Sequence, residues 1–140
     1  MRKYFLGTLF FVAVCSILYS CQTAGDIEYA KYLSNGKDIY IANCQNCHGK
    51  NGEGLGELAP PLSDTTFLIN NKTKLAGMIK NGVNEPMLIH GKIYEGKMPD
   101  FPNLHDIDLA QVIVYVTNSF GNKQGMYTYE QVAKDLSTSK

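Results

Sequence analysis

Five consecutive residues constrain this chain more than anything else in it: Cys44-Gln45-Asn46-Cys47-His48. Two thiols and an imidazole fall within little more than one helical turn, so the three side chains converge on one ligand or on each other. The chain around them has 140 residues, the scale of one domain. Its apolar fraction of 44% is too high for a disordered polypeptide and ordinary for a packed one. There is no Trp, so nine Tyr and six Phe must supply the large core side chains.

The first 20 residues read as a leader rather than as part of the fold. Arg2 and Lys3 precede an apolar run from Tyr4 to Ser20. At 17 residues the run is slightly short for a spanning helix and suits a secretory signal. Leu18-Tyr19-Ser20-Cys21 resembles a bacterial lipobox, in which the cysteine is lipidated and becomes the new N-terminus. The alternatives are an ordinary signal or an uncleaved anchor with Cys21 incidental. The resulting division is 1–20 leader, 21–34 lipid-anchored tether, 35–140 folded domain. On this reading the domain lies outside the cytoplasm, on the periplasmic side and close to a membrane. Gln22 is not the Asp that retains some lipoproteins in the inner membrane, which leaves inner and outer membrane both open.

Loss of Arg2 and Lys3 with the leader leaves 11 of the 13 Lys+Arg against 13 Asp+Glu, a net charge of −2. That excludes the basic excess of a nucleic-acid binder. Cys15 is lost with the leader and Cys21 is committed to lipid, so Cys44 and Cys47 alone remain for chemistry.

The C-x-x-C-H spacing is the attachment signature for a c-type haem. Two thiols about one turn apart can add to the two vinyl groups on one side of a porphyrin, and the next residue, His48, then lies beneath the iron. The competing readings are weaker. A zinc site needs about four ligands, and the mature chain adds only His90 and His105. A redox C-x-x-C belongs in a βαβ unit, whereas the flanks here read as helix and Gly-rich loop. A plain disulfide remains compatible with export.

The periodicity predicts an all-α domain of four to five short helices. A first helix runs from Gly36 to about Cys44. Residues 49–61, with four Gly and two Pro, are a loop. A helical turn is expected at Asp64–Leu68 and a helix at Lys72–Asn81, with Leu75, Met78 and Ile79 on one face and Gly82 as its stop. Residues 83–103 form a long connection that contains a hairpin about Gly91. The strongest helix spans Asp106–Phe120, where Leu109, Val112, Ile113 and Val116 make an apolar stripe. A final helix begins at Thr128, with Gln131 as capping partner.

An iron held by His48 needs a sixth ligand. Met98 is the candidate, in the Gly/Pro-bounded stretch Gly96-Lys97-Met98-Pro99, and His90 is its rival. A neutral thioether favours the ferrous state and raises the potential. Leu62, Phe67, Leu75, Ile79, Tyr94, Phe101, Val112 and Val116 are the candidate pocket walls. Tyr94 has a second possible role, as a hydrogen-bond donor to a haem propionate.

Taken together these motifs resemble class I mono-haem cytochromes c, over nearly the whole mature chain. Gly36-x-x-x-Tyr40 is similar to the family's first helix and Tyr115 to the aromatic of its last. Met98-Pro99-Asp100-Phe101 resembles its methionine loop. Ala59-Pro60-Pro61-Leu62 resembles the loop whose proline carbonyl accepts a hydrogen bond from the axial histidine, and Pro60 is the better match. His105 departs from the usual Ser, Thr or Asp cap. The resemblance implies one covalent haem c bound by Cys44, Cys47, His48 and Met98 with Pro60 in support, iron ligation by His48 and Met98, and no catalytic residues. It implies a single-electron carrier between a donor and an acceptor, such as a dehydrogenase, a quinol-oxidising complex or a terminal oxidase, and not an enzyme in its own right. A haem subunit of such a complex, or a ligand sensor with an open sixth site, is the alternative. Lys50, Lys92 and Lys97 flank the motifs as candidate docking charges, or as ordinary solvated lysines.

The lipobox reading has a direct test. Metabolic labelling with a fatty acid is expected to mark the parent protein and to be lost in Cys21→Ser. Equal labelling of both would remove the anchor.

Overall fold

The structure is a computed structural model that describes residues 2–138, without the side chains of residues 2–6 and 18–23. The Cys21 side chain therefore lies outside the described residues. The chain divides into two units, Met1–Lys31 and Tyr32–Lys140. Helix α1 (Arg2–Asn43) supplies all the described residues of the first unit and the opening of the second. Residues 22–34, expected as a polar tether and an approach to the first helix, are helical. They contain no Pro and several good helix formers, Ala24, Glu28, Ala30 and Leu33 among them. Among the described residues no helix is long and apolar enough to cross a membrane.

The second unit is mostly helical, as the periodicity predicts. After α1 come α2 (Gln45–His48), α3 (Thr65–Asn70), a 3-10 turn at Lys72–Lys74, α4 (Leu75–Asn81), α5 (Asp106–Thr117) and α6 (Tyr129–Thr138). The expected Lys72–Asn81 helix thus has a tighter first turn. Several ends carry the caps their sequences call for. Asp64 accepts the Phe67 N–H at the start of α3, at 3.0 Å. At α6 the Thr128 N–H donates to Gln131 Oε1 at 2.8 Å, the reciprocal half of a capping box. His105 at the start of α5 is compensated by Asp108, whose Oδ2 accepts the His105 N–H at 2.9 Å.

The hairpin about Gly91 pairs β1 (Met87–Ile89) with β2 (Lys92–Tyr94), in the register Met87↔Tyr94, Leu88↔Ile93, Ile89↔Lys92. Its two-residue loop, His90-Gly91, has positive φ at both positions (50° and 76°), as such a tight turn requires.

The core forms on α5, whose Leu109, Ala110, Val112, Ile113 and Val114 are all buried. The end of α1 crosses α5 at Gly36, where an added Cβ would lie 2.0 Å from the Gln111 carbonyl oxygen. Only glycine lets the two backbones come so close. One turn on, Tyr40 is fully buried and its ring lies 5.4 Å from both Tyr115 and Phe120. Its hydroxyl donates to the Gly49 carbonyl at 2.6 Å, just past α2. The helix that carries the motif is thereby locked to the helix that carries the core.

Gly36→Ala is expected to destabilise the fold by about 1–3 kcal/mol, because the backbones must separate to admit the methyl. A denaturant midpoint indistinguishable from the parent's would contradict this packing.

Candidate functional site

The site begins where α1 ends. The Cys44 N–H donates to the Tyr40 carbonyl at 2.8 Å, and the His48 N–H donates to the Cys44 carbonyl at 2.9 Å. This extra turn sets Cys44, Cys47 and His48 at i, i+3 and i+4, on one side of the chain. Both thiols are free. Cys44 is half-buried and Cys47 exposed. Burial, with the neighbouring Cys47 adding to it, pushes the Cys44 thiol up to about 11.

His48 Nδ1 donates to the Pro60 carbonyl oxygen at 3.0 Å. A carbonyl can only accept, so this bond puts the proton on Nδ1 and leaves the Nε2 lone pair for a metal. Burial lowers the imidazole's pKa, and the Pro60 bond opposes that effect without cancelling it. The ring is thus held neutral and in one orientation.

Two cavities meet at this histidine. The inner one is lined by α3, α4 and α5 through Phe67, Leu75, Ile79, Val112 and Val116 among others, and presents no polar surface. The outer one lies under the loop 55–59 and the stretch 94–101. Both are lined by Cys44, His48, Pro60, Val83, Met87 and Met98. All eight side chains expected as pocket walls line one or the other.

Met98 is held in place by its backbone. Its N–H donates to the Val83 carbonyl at 2.9 Å and its carbonyl accepts from the Val83 N–H at 3.0 Å. Next to it, Gly96 lies against loop 55–59 so closely that a Cβ would fall 1.7 Å from the Leu58 carbonyl oxygen. His90, the rival ligand, lines neither cavity. Its side chain is 68% exposed at the hairpin turn, with Nε2 3.3 Å from Asp64 Oδ2.

Of the lysines, Lys97 lines the outer cavity and Lys50 is exposed. Lys92 is engaged at 3.1 Å with the Gly56 carbonyl and stacks over the Tyr94 ring at 5.3 Å.

Met87 and Asn122 are among the contributors that the sequence does not mark. Met87 lines both cavities from β1, and only its pairing with Tyr94 shows that it faces inward. Asn122 is 2% exposed beyond the end of α5. It donates to the Leu62 carbonyl at 2.8 Å and accepts from Thr65 Oγ1 at 2.6 Å, fastening the pocket wall. A buried Asn has no periodic signature by which to find it.

The donor set suits a haem. It offers two thiols and a histidine lone pair on one side, a thioether on a separate loop, and dry apolar space around them. Among the described residues no group of three His, Cys, Asp or Glu gathers, which leaves the zinc alternative without its ligands.

Comparison with known proteins points the same way. Residues 32–116 match the family described as "Cytochrome C oxidase, cbb3-type, subunit III". Cytochrome c-552 of Thermus thermophilus is 27% identical over 110 residues, covering 72% of this chain and 83% of the relative. The cytochrome c subunit of alcohol dehydrogenase (quinone) from Gluconobacter oxydans (strain 621H) is 30% identical over 103 residues, which is 72% of this chain and 21% of that larger protein.

An apolar space like this left empty costs its lining side chains their contacts. Cys44→Ala/Cys47→Ala, made in a host with haem-attachment machinery, is therefore expected to lose the covalent chromophore and its cooperative thermal unfolding. A transition as sharp and as high as the parent's would show that the fold does not need the cofactor.

Proposed function

This chain belongs to the cytochrome c family, whose members carry a covalently bound haem c with its iron, and on that premise we propose that it is a one-electron carrier with His48 and Met98 as axial ligands. Electron transfer through haem is the function common to the family and the relatives. The single observation that carries the finer reading is the convergence of His48 and Met98 on the same two cavities, with His90 outside both.

When bound, the haem supplies a ferric/ferrous couple that exchanges one electron. The chain's own residues do the rest. Cys44 and Cys47 would hold the ring by thioether bonds. The Pro60 carbonyl keeps His48 in one tautomer and one orientation, so the ligand does not swing between redox states. The Val83–Met98 backbone pair holds the thioether loop. The apolar wall from α4 and α5 excludes water and so limits reorganisation. Two protein ligands, His48 and Met98, would leave no open position for O₂ or peroxide, which would separate a carrier from an oxidase or a ligand sensor.

Electrons would enter and leave on the side of exposed Cys47 and the outer cavity. The partners are a donor and an acceptor among membrane-associated oxidoreductases. The relative named for a quinone alcohol dehydrogenase and the matched family described for an oxidase subunit support that class. We place the domain on the periplasmic side, held to a membrane through lipid at Cys21.

Oxidised and reduced visible spectra test the reading. A c-type reduced spectrum with the far-red band of iron–methionine ligation is expected. In Met98→Ala the band is expected to vanish, the potential to fall, and the reduced protein to bind CO rapidly. A far-red band that survives this substitution would remove Met98 as ligand.

A further inference from the structure

We infer that a buried water is bound between the 3-10 turn and the segment joining α5 to α6, held by the Gln124 amide and the Lys72 ammonium. The site stands apart from the haem chemistry, since neither residue lines either cavity. Gln124 belongs to the stretch 118–128 that connects the last two helices. Its backbone is fully engaged. The N–H donates to the Thr117 carbonyl and to Asn118 Oδ1, both at 3.0 Å, and the carbonyl accepts from Lys72 Nζ at 3.3 Å.

The side chain differs. Its amide nitrogen and its amide oxygen are both buried, and neither has a hydrogen-bond partner among the described residues. Shutting an amide away unpaired is unfavourable, and native proteins commonly satisfy such a group with an ordered water. The end of α5 does not account for the amide. The Val114, Tyr115, Val116 and Thr117 carbonyls already accept bonds from Asn118, Asn122 and the Gln124 N–H. Lys72 supplies the further partner. Its ammonium has three donors and lies against the Gln124 carbonyl and, at 5.5 Å, the Tyr127 ring. Burial lowers the Lys72 pKa, so another acceptor is worth having there. The side-chain amide of a glutamine is only a few bonds from its own carbonyl, which puts the ammonium within one water of it. An anion could take the ammonium and Nε2 but would repel Oε1, whereas water accepts from the one and donates to the other. The same stretch carries Asn122, which fastens Leu62 and Thr65, so a water seated here steadies the pocket wall from behind.

The test uses the ferrous holoprotein, with water itself as the probe. Rotating-frame Overhauser spectra are expected to show a long-lived water against the Gln124 side-chain amide protons. That cross-peak is expected to be lost in Lys72→Met while the c-type spectrum persists. Gln124→Met, equal in length and apolar, is expected to lower the thermal midpoint, because the water loses its partner. A parent without the cross-peak overturns the site, whether or not the variants fold. A cross-peak unchanged in Lys72→Met, or a Gln124→Met variant at least as stable as the parent, also overturns it.

Discussion

At Gly36 the backbone of α1 lies directly on the backbone of α5, with the Gln111 carbonyl where a side chain would otherwise be. The rest of the site depends on that approach. Tyr40 follows one turn later and fills the space against Tyr115 and Phe120, and its hydroxyl reaches over to the Gly49 carbonyl. The attachment motif is the direct continuation of α1, so fixing the helix fixes the motif. Helix α5 meanwhile presents Val112 and Val116 to the inner cavity from an adjacent face. One contact between helices thus sets the distance from the two thiols to the pocket wall.

The second constraint is electrical. The candidate ligands are neutral: an imidazole kept uncharged by burial and a thioether. The inner cavity beside them offers no charge to compensate a change at the iron. A neutral ligand pair in dry surroundings favours the ferrous state and gives a small structural response to electron gain, which suits a carrier. Charged groups sit at the rim instead, where solvent screens them and where they act on approach and docking. The Pro60 carbonyl belongs to this arrangement, because it sets the histidine's tautomer without adding a net charge.

Much of this was legible in the residues. The helix at Asp106–Thr117 was visible because an apolar stripe of period 3.6 has few other meanings. The hairpin was visible because a Gly between two short apolar runs marks a tight turn. The eight pocket walls could be picked out because apolar residues on stripes next to a haem motif have one common place to point. What escaped was aperiodic or depended on pairing. Residues 22–34 carry a polar composition that suits tether and helix alike, and the structure shows helix. Asn122 and the inward face of Met87 are consequences of which distant segments meet.

The sequence by itself determined that two thiols and a histidine lie within five residues, because spacing along the chain constrains them through local geometry before any tertiary contact forms. It also determined the all-α class, through helical periodicity. Tertiary structure decided between Met98 and His90 as neighbours of the cavities, since both lie in one long connection and local sequence cannot say which of them folds inward. The Val83–Met98 pairing turns Met98 to the cavity, and the tight turn of the hairpin carries His90 out to solvent beside Asp64. Backbone hydrogen bonds between residues far apart in the chain make that choice, and they exist only once the chain has folded.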